Sequence, residues 1–231
     1  MLRPDLEKFS SGVDAVLGWD IDGIFCPIGK GEKRLDRFIP GLIPKLQAAF
    51  QYPKGPFLEA RQRKSFSFLA KRLTDDEAVT ALHSSVSHKE ELATQGITVK
   101  NGLFTERPKG TQGLIFDQLA GSLVRIGATF SMPDLVDGYF DNTQGNPPWK
   151  VKPDIAKALE KLGVGFYIIE DKRNTATRIR RASAAANIYL LVGSKEGERF
   201  CKQNDLIAVD SPGEFVLQAY ADIIKKSRFK S

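Results

Sequence analysis

Along the chain, short unbroken apolar runs alternate with longer stretches in which apolar residues return every three or four positions. The runs at 15–17, 165–169, 188–192 and 206–209 are aliphatic, aromatic or β-branched without polar alternation, as strands buried on both faces must be. The first continues into Trp19-Asp20-Ile21-Asp22-Gly23, and the second ends in Glu170-Asp171. A further strand is predicted over 97–104, interrupted at Lys100-Asn101-Gly102 and delivering Thr105 at its end. Helix-period segments cover 38–50 and 57–73, and another opens at Thr74-Asp75-Asp76-Glu77, where Thr74 and Glu77 have the spacing of a capping box. Helices are also predicted over 112–124, over 154–162 with Gly163 in the C-cap position, from an Asn174 cap to 186, and over 212–226. Tyr139-Phe140-Asp141 precedes a loop rich in Asn, Gly and Pro that ends at Lys150-Val151-Lys152-Pro153. Strands alternating with helices predict an α/β fold, a Rossmann-like three-layer α/β/α parallel sheet. The proline- and glycine-broken stretch after residue 26 predicts a small helical unit.

With 231 residues, the chain has room for one generous domain or for a core with a small accessory unit. At 42% hydrophobic and 27% charged residues it can bury a core, which excludes a disordered chain and a disulfide-stapled miniprotein. No stretch reaches the ~18 apolar residues of a membrane span, and residues 1–12 lack the apolar run of a secretory signal. A soluble, cytoplasmic protein with no membrane partner is expected. Cys26 and Cys201 form neither a framework nor a C-x-x-C, in keeping with a reducing compartment. His83 and His88, five positions apart, diverge by roughly 140° on a helix, so they are read as surface residues rather than as a metal pair.

Charge narrows the partners. Thirty-four Lys and Arg against 28 Asp and Glu leave a net +6, which favours an anion. The basic clusters at 61–64, 178–181 and 225–230 are scattered and lack interleaved aromatics, so a small phosphorylated substrate is favoured over nucleic acid.

Four polar stations sit at strand or loop ends: Asp20 with Asp22, Thr105, Lys150 or Lys152, and Glu170 with Asp171. In an open parallel sheet the carboxyl ends of the strands share one edge, so groups far apart in sequence converge there. Taken alone, Asp-x-Asp-Gly also describes an ordinary polar turn. Adjacency to Pro153 favours Lys152 over Lys150.

As an ordered set, these motifs resemble the haloacid dehalogenase-like (HAD-like) hydrolase superfamily, the aspartate-nucleophile phosphatases. The apolar strand followed by Asp20-Ile21-Asp22-Gly23 is similar to the family's first motif, Thr105 to the second, Lys152-Pro153-Asp154 to the third, and Glu170-Asp171 to the fourth. The resemblance implies a HAD-like core over 1–26 and 85–231 and a helical cap inserted at 27–84. It implies a Mg²⁺-dependent phosphatase in which Asp20 attacks the phosphomonoester and forms an aspartyl-phosphate, and Asp22 serves as acid and then base. Thr105 would bond a phosphoryl oxygen and Lys152 would offset its charge. Asp20, Asp22 and Asp171 would hold the metal, with Glu170 as the alternative acid.

The chain departs from the family pattern at two places. Thr175 stands where a second acid often follows, and Lys172 where a small hydroxyl residue is common. A competing register puts the fourth motif at Val192-Gly193-Ser194, without its aspartate. Two alternative functions follow: a catalytically silent HAD-like protein that binds an anionic partner, and a polynucleotide end-phosphatase.

Overall fold

The computed structural model describes residues 3–21, 23–25, 75–108, 112–142 and 147–228. Asp22, Cys26, Thr74 and both helices expected between 38 and 73 lie outside the described residues.

Six strands form one all-parallel sheet: β1 (Ala15–Asp20), β2 (Val99–Pro108), β3 (Gly138–Asn142), β4 (Gly165–Glu170), β5 (Asn187–Leu191) and β6 (Ile207–Val209), in the order β3-β2-β1-β4-β5-β6. The first strand in sequence is therefore flanked on both sides, by β2 and β4. Alternate side chains go to opposite faces. Val16, Phe166 and Ile168 enter one apolar cluster, with α1 (Pro4–Ser10), α5 (Val151–Lys161), α6 (Arg173–Ala182) and α7 (Lys195–Gln203). Leu17, Trp19, Tyr167 and Ile169 enter the other, with α2 (Asp76–Thr94), α3 (Gln112–Arg125), α4 (Met132–Leu135) and α8 (Pro212–Ser227). The chain is thus a three-layer α/β/α sandwich of Rossmann-like type. Gly18 allows β1 and β4 to lie close, since a Cβ there would stand 2.8 Å from Phe166 Cε2.

Several boundaries differ from the sequence reading. Strand β2 passes through Asn101 without interruption and runs beyond Thr105 to Pro108. Asn101 is buried there because its amide donates to Ser85 Oγ and to the Leu135 carbonyl, and Trp19 Nε1 donates to it in turn. Helix α5 begins at Val151, which puts Lys152 inside its first turn. Helix α6 is capped at Lys172 and ends at Ala182, so Asn174 lies inside the helix and is not its cap. The cap of α2 is Asp75, whose side chain accepts from the Glu77 amide. Helices α1, α4 and α7 have no counterpart in the pattern analysis. His83 and His88 sit half-buried on α2, against the rings of Phe130 and Tyr220.

Residues 76–84 belong to α2, which packs against α8 in the core. The Asp75 amide donates to the Phe25 carbonyl at 2.8 Å, so the two residues that bracket 26–74 meet. Among the described residues, no helix is long and apolar enough to cross a membrane.

Candidate functional site

The register of the central strands assembles the site. Asp20 closes β1 opposite Phe104, and Trp19 pairs with Ile169, which sets Asp20 beside Glu170 at the carboxyl edge. By alternation from Val16 and Ile168, Asp20 and Glu170 turn toward the face covered by α5. The first turn of α5 delivers Lys152 to that face. Its ammonium donates to Asp20 Oδ1 at 2.5 Å and to Glu170 Oε1. All three groups are out of water: Asp20 is 1%, Lys152 2% and Glu170 0% exposed. Asp171, the next residue, completes a cluster in which one oxygen each of Asp20, Glu170 and Asp171 lie within 4.8 Å of one another.

The sequence favours Lys152 over Lys150 by its adjacency to Pro153; Lys152 is buried against the acids, whereas Lys150 is exposed. Thr105 is fully buried one residue beyond the Asp20–Phe104 pairing, within β2 rather than at its end. Ser194, in the competing register, caps α7 by accepting from the Gly197 amide, and is not part of the acid cluster. Thr175 is buried in the first turn of α6. Glu106 was not anticipated as a site residue: its charge acts on Lys152, and only its adjacency to Thr105 could have pointed to it.

Three carboxylates around one ammonium are short of positive charge. Burial is the largest influence on Lys152 and opposes its charge, but Asp20, Glu170 and Glu106 together outweigh it and hold the ammonium far above its ordinary range. Burial and then Asp20 push Glu170 well above the usual carboxylate range, against the pull of Lys152. The same two causes push Asp171 up to about 7, against Lys172 and Lys152. In the metal-free protein this cluster therefore retains protons that an open aspartate would have lost.

A hard divalent cation fits this donor set. Among the described residues no hydrogen-bond donor reaches Asp20 Oδ2, Glu170 Oε2 or Asp171 Oδ1, all buried. Unsatisfied buried carboxylate oxygens are costly, and a small cation that takes oxygen ligands removes that cost.

A pH dependence follows. A carboxyl raised in the folded state is protonated there while its unfolded counterpart has already ionised, so folded stability falls as pH rises between the two values. For Asp171 the window runs from about 3.8 to about 7, and Glu170 adds a loss of the same sign. Urea denaturation without metal should show stability declining across that window, and the decline should flatten in Asp171→Asn. Added Mg²⁺ should restore more stability at pH 8 than at pH 5, since binding must displace protons at the lower pH.

Gly23 shapes the cluster from the other side. Its φ is +104°, and a Cβ there would lie 1.9 Å from Asp171 Oδ2. Gly23→Ala combines a backbone conformation that side chains rarely adopt with displacement of that carboxylate. A loss of roughly 1–3 kcal/mol is expected, together with a weaker Mg²⁺-induced rise in melting temperature than in the parent protein.

No protein-family model, curated protein or solved structure matches this chain.

Proposed function

We propose that the protein is a Mg²⁺-dependent phosphomonoesterase of the HAD-like type, working through an aspartyl-phosphate on Asp20. The observation that carries this reading is the meeting of Asp20, Lys152, Glu170 and Asp171 at the carboxyl edge of the central strands, with three buried carboxylate oxygens that no donor reaches among the described residues. These acids would hold Mg²⁺, joined by the Asp22 carbonyl, and the ion would neutralise the charges of nucleophile and phosphate that otherwise repel.

The chain's own residues divide the remaining work. Lys152 holds Asp20 through Oδ1 and so orients the carboxylate that attacks. As the bond from an Asp20 carboxylate oxygen to phosphorus forms, the ester oxygen departs with a proton from Asp22. Asp22 then takes a proton from water. That water's oxygen bonds to phosphorus, releasing inorganic phosphate and restoring the Asp20 carboxylate. Thr105 supplies a hydroxyl to a phosphoryl oxygen, and the buried ammonium of Lys152 offsets the charge that accumulates in transfer. Phe25, two residues beyond Gly23, is hydrogen-bonded to Asp75, and these two residues bracket 26–74, the stretch that an inserted cap would occupy.

One feature favours a catalytically silent anion-binding relative instead: by the resemblance, Thr175, buried in the first turn of α6, stands where a second acid often follows. A screen of phosphate esters with and without Mg²⁺ separates the two. Magnesium-dependent phosphate release supports the enzyme, and binding without release supports the relative.

A further inference from the structure

Among the described residues, one large aromatic side chain is exposed, and it lies one helical turn before Lys152. Trp149 is 47% exposed, whereas the other exposed large hydrophobics among the described residues, Val124, Leu162 and Leu217, are aliphatic. An indole half in water forgoes much of the burial that makes Trp worth keeping, so packing alone does not account for it. It sits on the 3₁₀ turn Pro148–Lys150, which leads directly into α5 and is closed by the Lys150 amide donating to the Pro147 carbonyl. Three residues further on is Lys152, the residue that grips Asp20. The indole is thus attached within one helical turn of the phosphate-handling ammonium, on a backbone pinned by the buried Val151, Lys152 and Pro153.

Lys150, the next residue, is exposed. Helix α6 packs against α5 and is entered through Lys172 and Arg173, directly after Asp171. Arg178 and Arg181 on α6, with Lys195, Arg199 and Lys202 on α7, are all exposed on the same layer of the sandwich. An aromatic plane beside cations, next to a site for a phosphate, is the combination that receives a nucleobase with its phosphate.

We infer that the phosphate ester taken by this site is borne by a nucleotide, whose base stacks on Trp149; the inference rests on the phosphatase reading for its phosphate end. The nucleotide is either a free monophosphate or the phosphorylated end of a strand, whose further phosphates would follow the α6–α7 face.

The test uses intrinsic fluorescence of the full-length protein. Of the two tryptophans, Trp19 is fully buried and serves as an internal constant, while Trp149 reports contact. In Mg²⁺, nucleoside monophosphates should quench the emission, and glycerol phosphate and inorganic phosphate should not. Calorimetry should show Trp149→Leu weakening nucleotide binding roughly tenfold or more, with Trp149→Phe retaining most of it. Trp149→Leu should also raise KM for nucleoside monophosphates more than KM for glycerol phosphate. Affinity that rises with oligonucleotide length and falls between about 50 and 200 mM salt identifies a strand end, whereas affinity independent of length identifies a mononucleotide. Equal responses to nucleotides and glycerol phosphate, or unchanged nucleotide affinity in Trp149→Leu, would overturn the inference. Because binding is read without turnover, quenching without hydrolysis removes the phosphatase reading alone, and hydrolysis of glycerol phosphate without nucleotide quenching removes this inference alone.

Discussion

Asp20→Asn should lose phosphate release from a generic aryl phosphate by roughly 10⁴-fold or more while keeping its fold. The amide oxygen of Asn can still accept from Lys152, so the buried ammonium remains partnered. What disappears is an ionised oxygen able to bond to phosphorus. One negative charge also leaves a cluster that has too many, and Glu170 and Asp171 are both pushed up in part by Asp20. Melting of the metal-free variant should therefore occur no lower than in the parent, and its Mg²⁺-induced stabilisation should shrink. Collapse of turnover with an intact thermal transition separates chemistry from folding. Undiminished turnover would remove Asp20 as nucleophile, and with it the enzymatic reading.

Lys152→Met should have the largest effect on stability. The substitution preserves much of the stem's volume but strips Asp20 and Glu170 of the ammonium that both share at almost complete burial. Removing one partner of a buried ion pair leaves an uncompensated charge, at a cost of about 3–5 kcal/mol. The sign of its pH dependence distinguishes this cause from simple loss of packing. At pH 5 the raised carboxyls Glu170 and Asp171 carry protons and need the ammonium less, so the penalty should be smaller than at pH 8. Millimolar Mg²⁺ should recover part of the loss at pH 8, because a cation that binds only the folded cluster shifts the equilibrium by mass action. Urea titrations at both pH values, with and without the ion, measure all four quantities. A penalty equal at pH 5 and pH 8 would show that charge compensation is not what Lys152 provides.

The parts of the fold that could be read from sequence are those whose physics is local. Strands β1 and β4 announce themselves because both faces are covered, leaving unbroken apolar runs that stop at Asp20 and at Glu170. Parallel order then places those two ends together. Strand β2 was read as broken at Asn101 because the groups that satisfy that amide, Ser85 and the Leu135 carbonyl, belong to other elements and leave no mark near residue 101. Helix α7 was missed for a related reason: Lys195–Gln203 buries only Gly197 and Cys201, too few apolar positions to trace a stripe. At the site, residue types pointed to the acids and adjacency to Pro153 to Lys152, while the depth of Lys152 beside an exposed Lys150 is a tertiary property that no local pattern encodes. Glu106 offered no signal of its own, since electrostatic influence across strands has no period.

The placement of β1 between β2 and β4 also constrains biosynthesis. As the nascent chain emerges, β1 can pair on one side once β2 is available, but its other edge stays open until residues 165–170 clear the ribosome. Throughout that interval a hydrophobic strand edge is available to any neighbouring polypeptide. The geometry that later seals Asp20 in the middle of the sheet thus leaves the unfinished chain with an unpaired central edge until β4 is made.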